Sequence, residues 1–362
     1  MSNVDLLSLV RDKVKKLKAY KVENYDCDIK LHANENPFSP PAELMESFRK
    51  SLEDFKLNRY PDPHCNGLKR ILSQRWRTPP ETLVVGNGSD ELIQLILQIF
   101  CDMGDAVAFP DPTFAMYSII AEGMGLKPVV HPLDENWDFK ADEFLGAVEK
   151  HDPKILFFSF PNNPTGNCFS PEEIKKTIER FRGIVVVDEA YYDFSKKTFI
   201  HDIRGHNNLI VLRSLSKIGL AGLRVGYGVA DPLIIDQINK VRLPYNSNTV
   251  SQTFSEKVLG NFSQVQEQID TIIQERERLV RALSKIKSLK VYPSASNFIL
   301  FRMEHDAGTV FKKLMDKGIL IRDLSSHPRL KGCLRVTVGS RDENDQFLLQ
   351  IENLTRAENL TT

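Results

Sequence analysis

The chain has 362 residues, enough for two domains or for one large domain with a smaller one attached. Its 48 lysines and arginines are matched by 48 aspartates and glutamates, so it lacks the basic field that nucleic-acid binding draws on; small molecules are the expected partners. The five cysteines are scattered and never form a C-x-x-C pair, which argues against a disulfide framework or a zinc knuckle and fits reduced thiols in a cytoplasm.

The opening stretch "MSNVDLLSLVRDKVKKLKAY" has no continuous apolar core, and no run in the chain approaches the roughly 20 apolar residues that span a bilayer. Its apolar residues Val4, Leu7, Val10, Val14 and Leu17 fall at helical spacing, which predicts an amphipathic N-terminal helix.

From about residue 83 to 230 short apolar runs alternate with helical patterns: "TLVVG", "AVAFP", "PVVHPL", "ILFFSF", "GIVVVDEA", "LIVLRS" and "VGYGVA". This alternation predicts an α/β fold, a mostly parallel sheet with helices on both faces. "GSDELIQLILQIF" opens a helix at Ser89, and "SPEEIKKTIERF" has Ser170 as N-cap, Pro171 in the first helical position and Glu173 placed for a capping box. After Pro244 a charge-rich helical stretch leads to "LKVYPSASNFILFRM", "GILIRDL" and "CLRVTVG". The expected division is a large domain over 45–245 and a smaller α+β domain built from 246–362 and completed by 1–44.

In an open α/β sheet, ligands bind beyond the carboxyl ends of the strands. Here "PNNPTG" follows "ILFFSF", "DEAYYDF" follows "GIVVV" and "RSLSK" ends "LIVL". Asn163, Asp188, Tyr191, Ser214, Ser216 and Lys217 are thereby expected to converge on one crevice. A crevice lysine can bind an aldehyde cofactor covalently, and pyridoxal phosphate then needs a carboxylate at its ring nitrogen and donors for its phosphate. Asp188 meets the first need; Ser214, Ser216 and Arg224 meet the second, and Asn163 and Tyr191 suit the ring hydroxyl. Ser89 and Asp90 of "GNGSDE" add backbone N–H groups at a helix start, although Ser89 can equally be a plain cap. Phe114 of "PDPTFAMY" is placed either to stack on the cofactor ring or to pack in the core.

These stretches are similar to the fold-type I pyridoxal-phosphate enzymes of the class I/II aminotransferases. "PNNPTG", "DEAY" and "SLSK" carry the likeness to the superfamily; "LHANENPFSP" and "NRYPDP" point within it to the histidinol-phosphate aminotransferase family. The resemblance implies a seven-stranded sheet and makes Lys217 the covalent anchor. It assigns Asp188 to the ring nitrogen, Asn163 and Tyr191 to the phenolic oxygen, and Ser89, Asp90, Ser214, Ser216 and Arg224 to the phosphate. Tyr60 would serve the phosphate of the neighbouring subunit in a homodimer. Arg335 resembles the family's carboxylate-binding arginine; Arg322 is a second candidate for substrate, or else an ion-pair partner of Asp323, with Tyr20 and Asn248 as contributors.

The implied reaction moves an amino group between histidinol phosphate and 2-oxoglutarate, giving glutamate. Threonine-phosphate decarboxylases and aminotransferases of aromatic amino acids or amino-alcohol phosphates are the near alternatives, and a non-catalytic ligand-sensing regulator is a distant one. One departure is the spacing of the anchor from its arginine: Arg224 follows Lys217 by seven positions, one fewer than in the commoner family pattern, which bears on where Arg224 sits. The eight histidines show no H-x-x-x-H or H-E-x-x-H spacing, so no metal site is expected. A nicotinamide dehydrogenase is disfavoured because "GNGSDE" lacks the third glycine of G-x-G-x-x-G, and no G-x-x-x-x-G-K-[ST] loop occurs for a nucleoside triphosphate.

Overall fold

The computed structural model describes residues 5–17, 25–304 and 306–358. A short strand, β1 (Ile29–Lys30), precedes β2 (Leu83–Asn87), β3 (Ala106–Asp111), β4 (Lys127–Pro132), β5 (Pro153–Ser159), β6 (Ile184–Asp188), β7 (Leu209–Ser214) and β8 (Val225–Ala230). The seven strands β2 to β8 are the seven apolar runs, and they form one sheet in the order β2-β8-β7-β6-β5-β3-β4. The pairs from β4 through β7 are parallel, and β8 alone runs against its two neighbours.

These runs are continuous rather than alternating because both faces of the sheet are covered. On one face Val185, Val187 and Val211 pack with Phe144 and Ile174 of the helices Ala141–Val148 and Pro171–Arg180. On the other, Val186 and Ile210 pack with Leu92 and Tyr117 of the helices Ser89–Phe100 and Met116–Met124. The chain passes outward from β3 to β4 and then returns to the other side of β3 with β5, and this reversal opens a crevice at the strand ends.

Further strands follow: β9 (Leu289–Val291), β10 (Phe298–Met303), β11 (Ile319–Leu320), β12 (Arg322–Asp323) and β13 (Cys333–Thr337). They give an antiparallel four-stranded sheet, β12-β13-β10-β9, and a parallel pair in which Ile29 of β1 faces Ile319 of β11. The helices Thr249–Gly260 and Phe262–Leu283 fill the charge-rich stretch, the second burying Ile269, Ile272, Leu279 and Leu283 against this sheet. No helix among the described residues is long and apolar enough to cross a membrane.

Three local expectations are corrected. The N-terminal helix is two short pieces, Leu6–Leu9 and Asp12–Lys16, parted by extended backbone at Val10 and Arg11. Leu6, Leu7 and Leu9 are exposed, so no buried face offsets the cost of nucleating a longer helix. Glu173 does not close a capping box: its carboxylate accepts from the N–H of Ala141 (2.8 Å), starting the neighbouring helix instead. The Ser170 N–H donates to Asp138, while Ser170 Oγ keeps its capping bond from Glu173 N–H (3.4 Å). Ser89 is the first helical residue and not the cap; Gly88 holds the cap position and supplies no side-chain acceptor.

Candidate active site

Asp188 ends β6 at the floor of the crevice, only 3 % exposed. Its carboxylate accepts from the hydroxyl of Tyr117 (3.0 Å) and from the N–H of Ala190 (3.1 Å). Its pKa is pushed up to about 6, chiefly by burial and further by Asp90 and Glu189, against the lowering pull of the two donors. Among the described residues this buried carboxylate, held by one hydroxyl and one amide, forms no ion pair. Tyr117 is fully buried, stacked on Phe157 at 4.8 Å, and lies three residues after Phe114, which meets it edge-on at 5.5 Å.

Glu189 serves the structure. It is fully buried and pairs with Arg213 at 2.6 Å, whose guanidinium lies 3.6 Å from the ring centre of Tyr192 and 4.4 Å from that of Trp76. The pair ties the end of β7 to the start of the β6 loop and so fixes Asp188 relative to Ser214. Ser214 Oγ accepts from the N–H of Ser216 (3.2 Å), and both serines are buried. Lys217 follows in the turn Ser216–Ile218, half-buried, its Nζ 5.7 Å from the ring centre of Tyr191.

An anion cradle lies at the start of the helix Ser89–Phe100. The capping Gly88 has φ 83°, and a Cβ there would come within 2.7 Å of Arg224 Nη2. A Cβ on Gly226 would meet the backbone N of Ser89 at 2.4 Å, so this glycine lets the helix start sit directly on β8. Despite the shorter segment after Lys217, Arg224 reaches the cradle: its own φ is 55°, and Nη2 bonds Asp90 at 3.2 Å. The positive end of the helix, its uncapped N–H groups and one guanidinium thus point to the same place.

Arg335, 9 % exposed, donates to Asn163 Oδ1 (2.5 Å) and to the carbonyl of His32 (2.9 Å). Arg322 lies opposite it on β12 and lines a recess of about 280 Å³ together with Tyr25, His32 and Phe311. Burial holds the His32 imidazole below its usual pKa, a shift that Glu35 opposes and Arg322 and Arg335 reinforce. Asn248 caps the helix Thr249–Gly260 through the N–H of Ser251 (2.9 Å). Tyr60 is 79 % exposed and stacked on Tyr245 at 4.3 Å. Tyr20 lies outside the described residues.

Sequence reasoning gave no role to Tyr117, Asn34 or Thr337. Tyr117 follows Phe114 by three residues in "PDPTFAMY"; Phe114 stands just before the helix that begins at Met116, and its carbonyl accepts from the Tyr117 N–H (3.2 Å). Asn34 was visible only as a letter of "ANENP"; it donates to the Tyr191 oxygen at 2.9 Å.

A family model described as aminotransferase class I and II matches residues 27–351. The chain belongs to this family. It is 43 % identical over 342 residues to the histidinol-phosphate aminotransferase of Caldanaerobacter subterraneus subsp. tengcongensis, covering 94 % of this chain and 97 % of that one. With the histidinol-phosphate aminotransferase of Aquifex aeolicus the identity is 39 % over 346 residues, covering 95 % and 97 %. The structure of histidinol-phosphate aminotransferase from Sinorhizobium meliloti in complex with pyridoxal-5'-phosphate superposes with a TM-score of 0.88, covering 97 % and 98 %; at 23 % identity this shows the shared fold.

The cofactor of these aminotransferases is pyridoxal phosphate, and the crevice fits it by its donor set. The buried, cation-poor Asp188 suits a protonated ring nitrogen, Lys217 an aldehyde, and the cradle of Gly88, Ser89 and Arg224 a phosphate. Among the described residues no group of three or more His, Cys, Asp or Glu side chains is placed to hold a metal ion.

Proposed function

We propose that this aminotransferase transfers the amino group of L-histidinol phosphate to 2-oxoglutarate, giving imidazole-acetol phosphate and L-glutamate in histidine biosynthesis, and that it works in the cytoplasm as a homodimer. The observation that carries the reading is a crevice holding Lys217 and a buried Asp188, with Arg335 bonded to Asn163 at its edge and Arg322 opposite Arg335. Both amino donors carry an anion, phosphate on one and carboxylate on the other, and a planar guanidinium pairs with either.

When bound, pyridoxal phosphate supplies a carbonyl carbon for the substrate amine and a ring that takes up the electron pair left when the Cα proton departs. Lys217 is the covalent anchor, and its Nζ, freed when the substrate amine takes its place, would be the base that takes that proton. Asp188 keeps the ring nitrogen protonated. Ser89, Asp90, Ser214, Ser216 and Arg224 hold the phosphate; Asn163 and Tyr191 hold the ring oxygen, and Phe114 lies on the ring face. Arg335 and Arg322 bind the substrate anion, with Tyr20 and Asn248 as contributors.

The exposed Tyr60–Tyr245 stack is consistent with Tyr60 reaching the phosphate site of a second copy. Residues 45–245 act in this reading as the cofactor-binding domain, and 1–44 with 246–362 as the smaller domain that brings the arginines. The test is turnover of L-histidinol phosphate with 2-oxoglutarate, abolished in Lys217→Ala. Release of carbon dioxide from O-phosphothreonine without such turnover would replace this reading with a decarboxylase.

A further inference from the structure

We propose that Asn34 and Thr337 form a positioning relay that sets the direction of the Tyr191 hydroxyl and ties it to the strand bearing Arg335. The inference rests on the assignment of Tyr191 to the cofactor's ring oxygen. Its basis is a chain of hydrogen bonds in which each group's donor or acceptor role is forced by the next.

The N–H of Asn34 can only donate, and it does so to Thr337 Oγ1 at 3.0 Å. The Thr337 hydroxyl hydrogen then goes to Asn34 Oδ1 at 3.2 Å. That fixes the amide of Asn34, leaving Nδ2, which donates to the Tyr191 oxygen at 2.9 Å. A tyrosine oxygen that accepts from an amide has to send its own proton elsewhere, and here it is left to donate to the ring oxygen of the cofactor anchored on Lys217. A phenol facing a carboxylate or carbonyl in place of Nδ2 would turn its O–H to that acceptor instead.

The relay is sheltered and rigid. Asn34, Thr337 and Tyr191 are 2 %, 2 % and 4 % exposed, so water does not compete for these bonds. Asn34 sits at φ 57°, a left-handed conformation that asparagine tolerates better than most residues, and its carbonyl accepts from Asn297 Nδ2 at 3.0 Å. Tyr191 is braced edge-on by Phe298 at 5.2 Å. Thr337 stands two positions after Arg335 on β13, so both side chains leave the same face of the strand. Arg335 in turn bonds Asn163. The strand that meets the substrate anion therefore touches both residues assigned to the ring oxygen, Asn163 directly and Tyr191 through Asn34.

A donor to the ring oxygen favours its deprotonated form, so removing it raises the pH midpoint of the cofactor's visible absorption band. The experiment titrates that band in the pyridoxal-phosphate-loaded protein. Tyr191→Phe is expected to move the midpoint upward by about one pH unit or more, a factor of about ten in the equilibrium. Asn34→Asp, which keeps the shape but turns the donor into an acceptor, should move it the same way, and should add much less when combined with Tyr191→Phe. Thr337→Val should shift it part of the way, and Thr337→Ser, which keeps the hydroxyl, should restore the wild-type midpoint.

Equal midpoints in wild type, Asn34→Asp and Thr337→Val, with Tyr191→Phe alone displaced, would overturn the relay and leave the function standing. Equal shifts from Asn34→Asp with and without Tyr191 would overturn it too, since the effect would then not pass through the hydroxyl. A wild-type protein that takes up no pyridoxal phosphate would remove the proposed function and the relay together.

Discussion

Arg322 and Arg335 face each other across the β12–β13 ladder, two cations directly opposed on one side of an antiparallel pair. Like charges in that position destabilise a sheet, so the arrangement has to be offset elsewhere. Arg335 finds part of the compensation in Asn163 and the His32 carbonyl, and in the proposed function a bound substrate anion would supply more. Arg322→Met is therefore expected to lower kcat/KM for L-histidinol phosphate by about 10–100-fold, the range lost with a charge-assisted hydrogen bond, chiefly through KM. The same substitution should leave the anion-free protein no less stable. A large loss of thermal stability with unchanged KM would place Arg322 in the scaffold rather than the site.

Asp188 gives a pH prediction of definite sign. Burial raises its pKa from the ordinary 3.8 to about 6, so between those values the folded chain holds a proton that the unfolded chain has released. Stability from this group thus falls as pH rises through that window and stays lost above it, by about 3 kcal/mol. The cofactor-free Asp188→Asn variant is expected to melt above cofactor-free wild type at pH 7 and above, the gap closing below about pH 4. A gap of the same size at every pH would mean that the carboxylate charge is not what costs stability.

Tyr117 donates to the charged form of Asp188 and helps to keep it ionised. Tyr117→Phe should push the Asp188 pKa higher, so the acid limb of the pH–activity profile moves toward neutral pH while the KM for 2-oxoglutarate changes little. An unmoved acid limb would separate Tyr117 from the chemistry.

The seven strands and the crevice were legible because parallel strands covered on both faces read as continuous apolar runs, each ending in a polar cluster. Asp188, Lys217, Asn163 and the serines could be singled out as candidates for the same reason, as polar residues at the ends of such runs. Tyr117, Asn34 and Thr337 were not, because a buried tyrosine, asparagine or threonine looks like ordinary packing until its partner is known, and their partners are distant in sequence. Local signals also failed where tertiary contacts compete. Glu173 bonds Ala141 rather than its own helix start, and the N-terminal leucines lack a surface to bury against.

Gly88 tests the anion cradle at a single atom. Its φ of 83° and the 2.7 Å approach of Arg224 Nη2 to a built Cβ mean that Gly88→Ala has to displace the guanidinium. Retention of pyridoxal phosphate, followed by dialysis and absorbance, should weaken by about tenfold or more, as expected for one lost charge-assisted bond. Gly222→Ala, where a Cβ would meet nothing within 4 Å, serves as the control and should retain cofactor like wild type. Equal retention by both variants would remove Arg224 from the phosphate site.

The central claim, that Lys217 anchors pyridoxal phosphate for transamination of histidinol phosphate, is tested most directly by the absorption spectrum of the loaded protein. L-histidinol phosphate added without a keto acid should convert the cofactor from its pyridoxal to its pyridoxamine form, and 2-oxoglutarate should reverse the change, with neither step completed by Lys217→Ala. A spectrum that ignores histidinol phosphate yet responds to another amino donor would contradict the substrate assignment, and conversion at a normal rate in Lys217→Ala would contradict the role of the lysine.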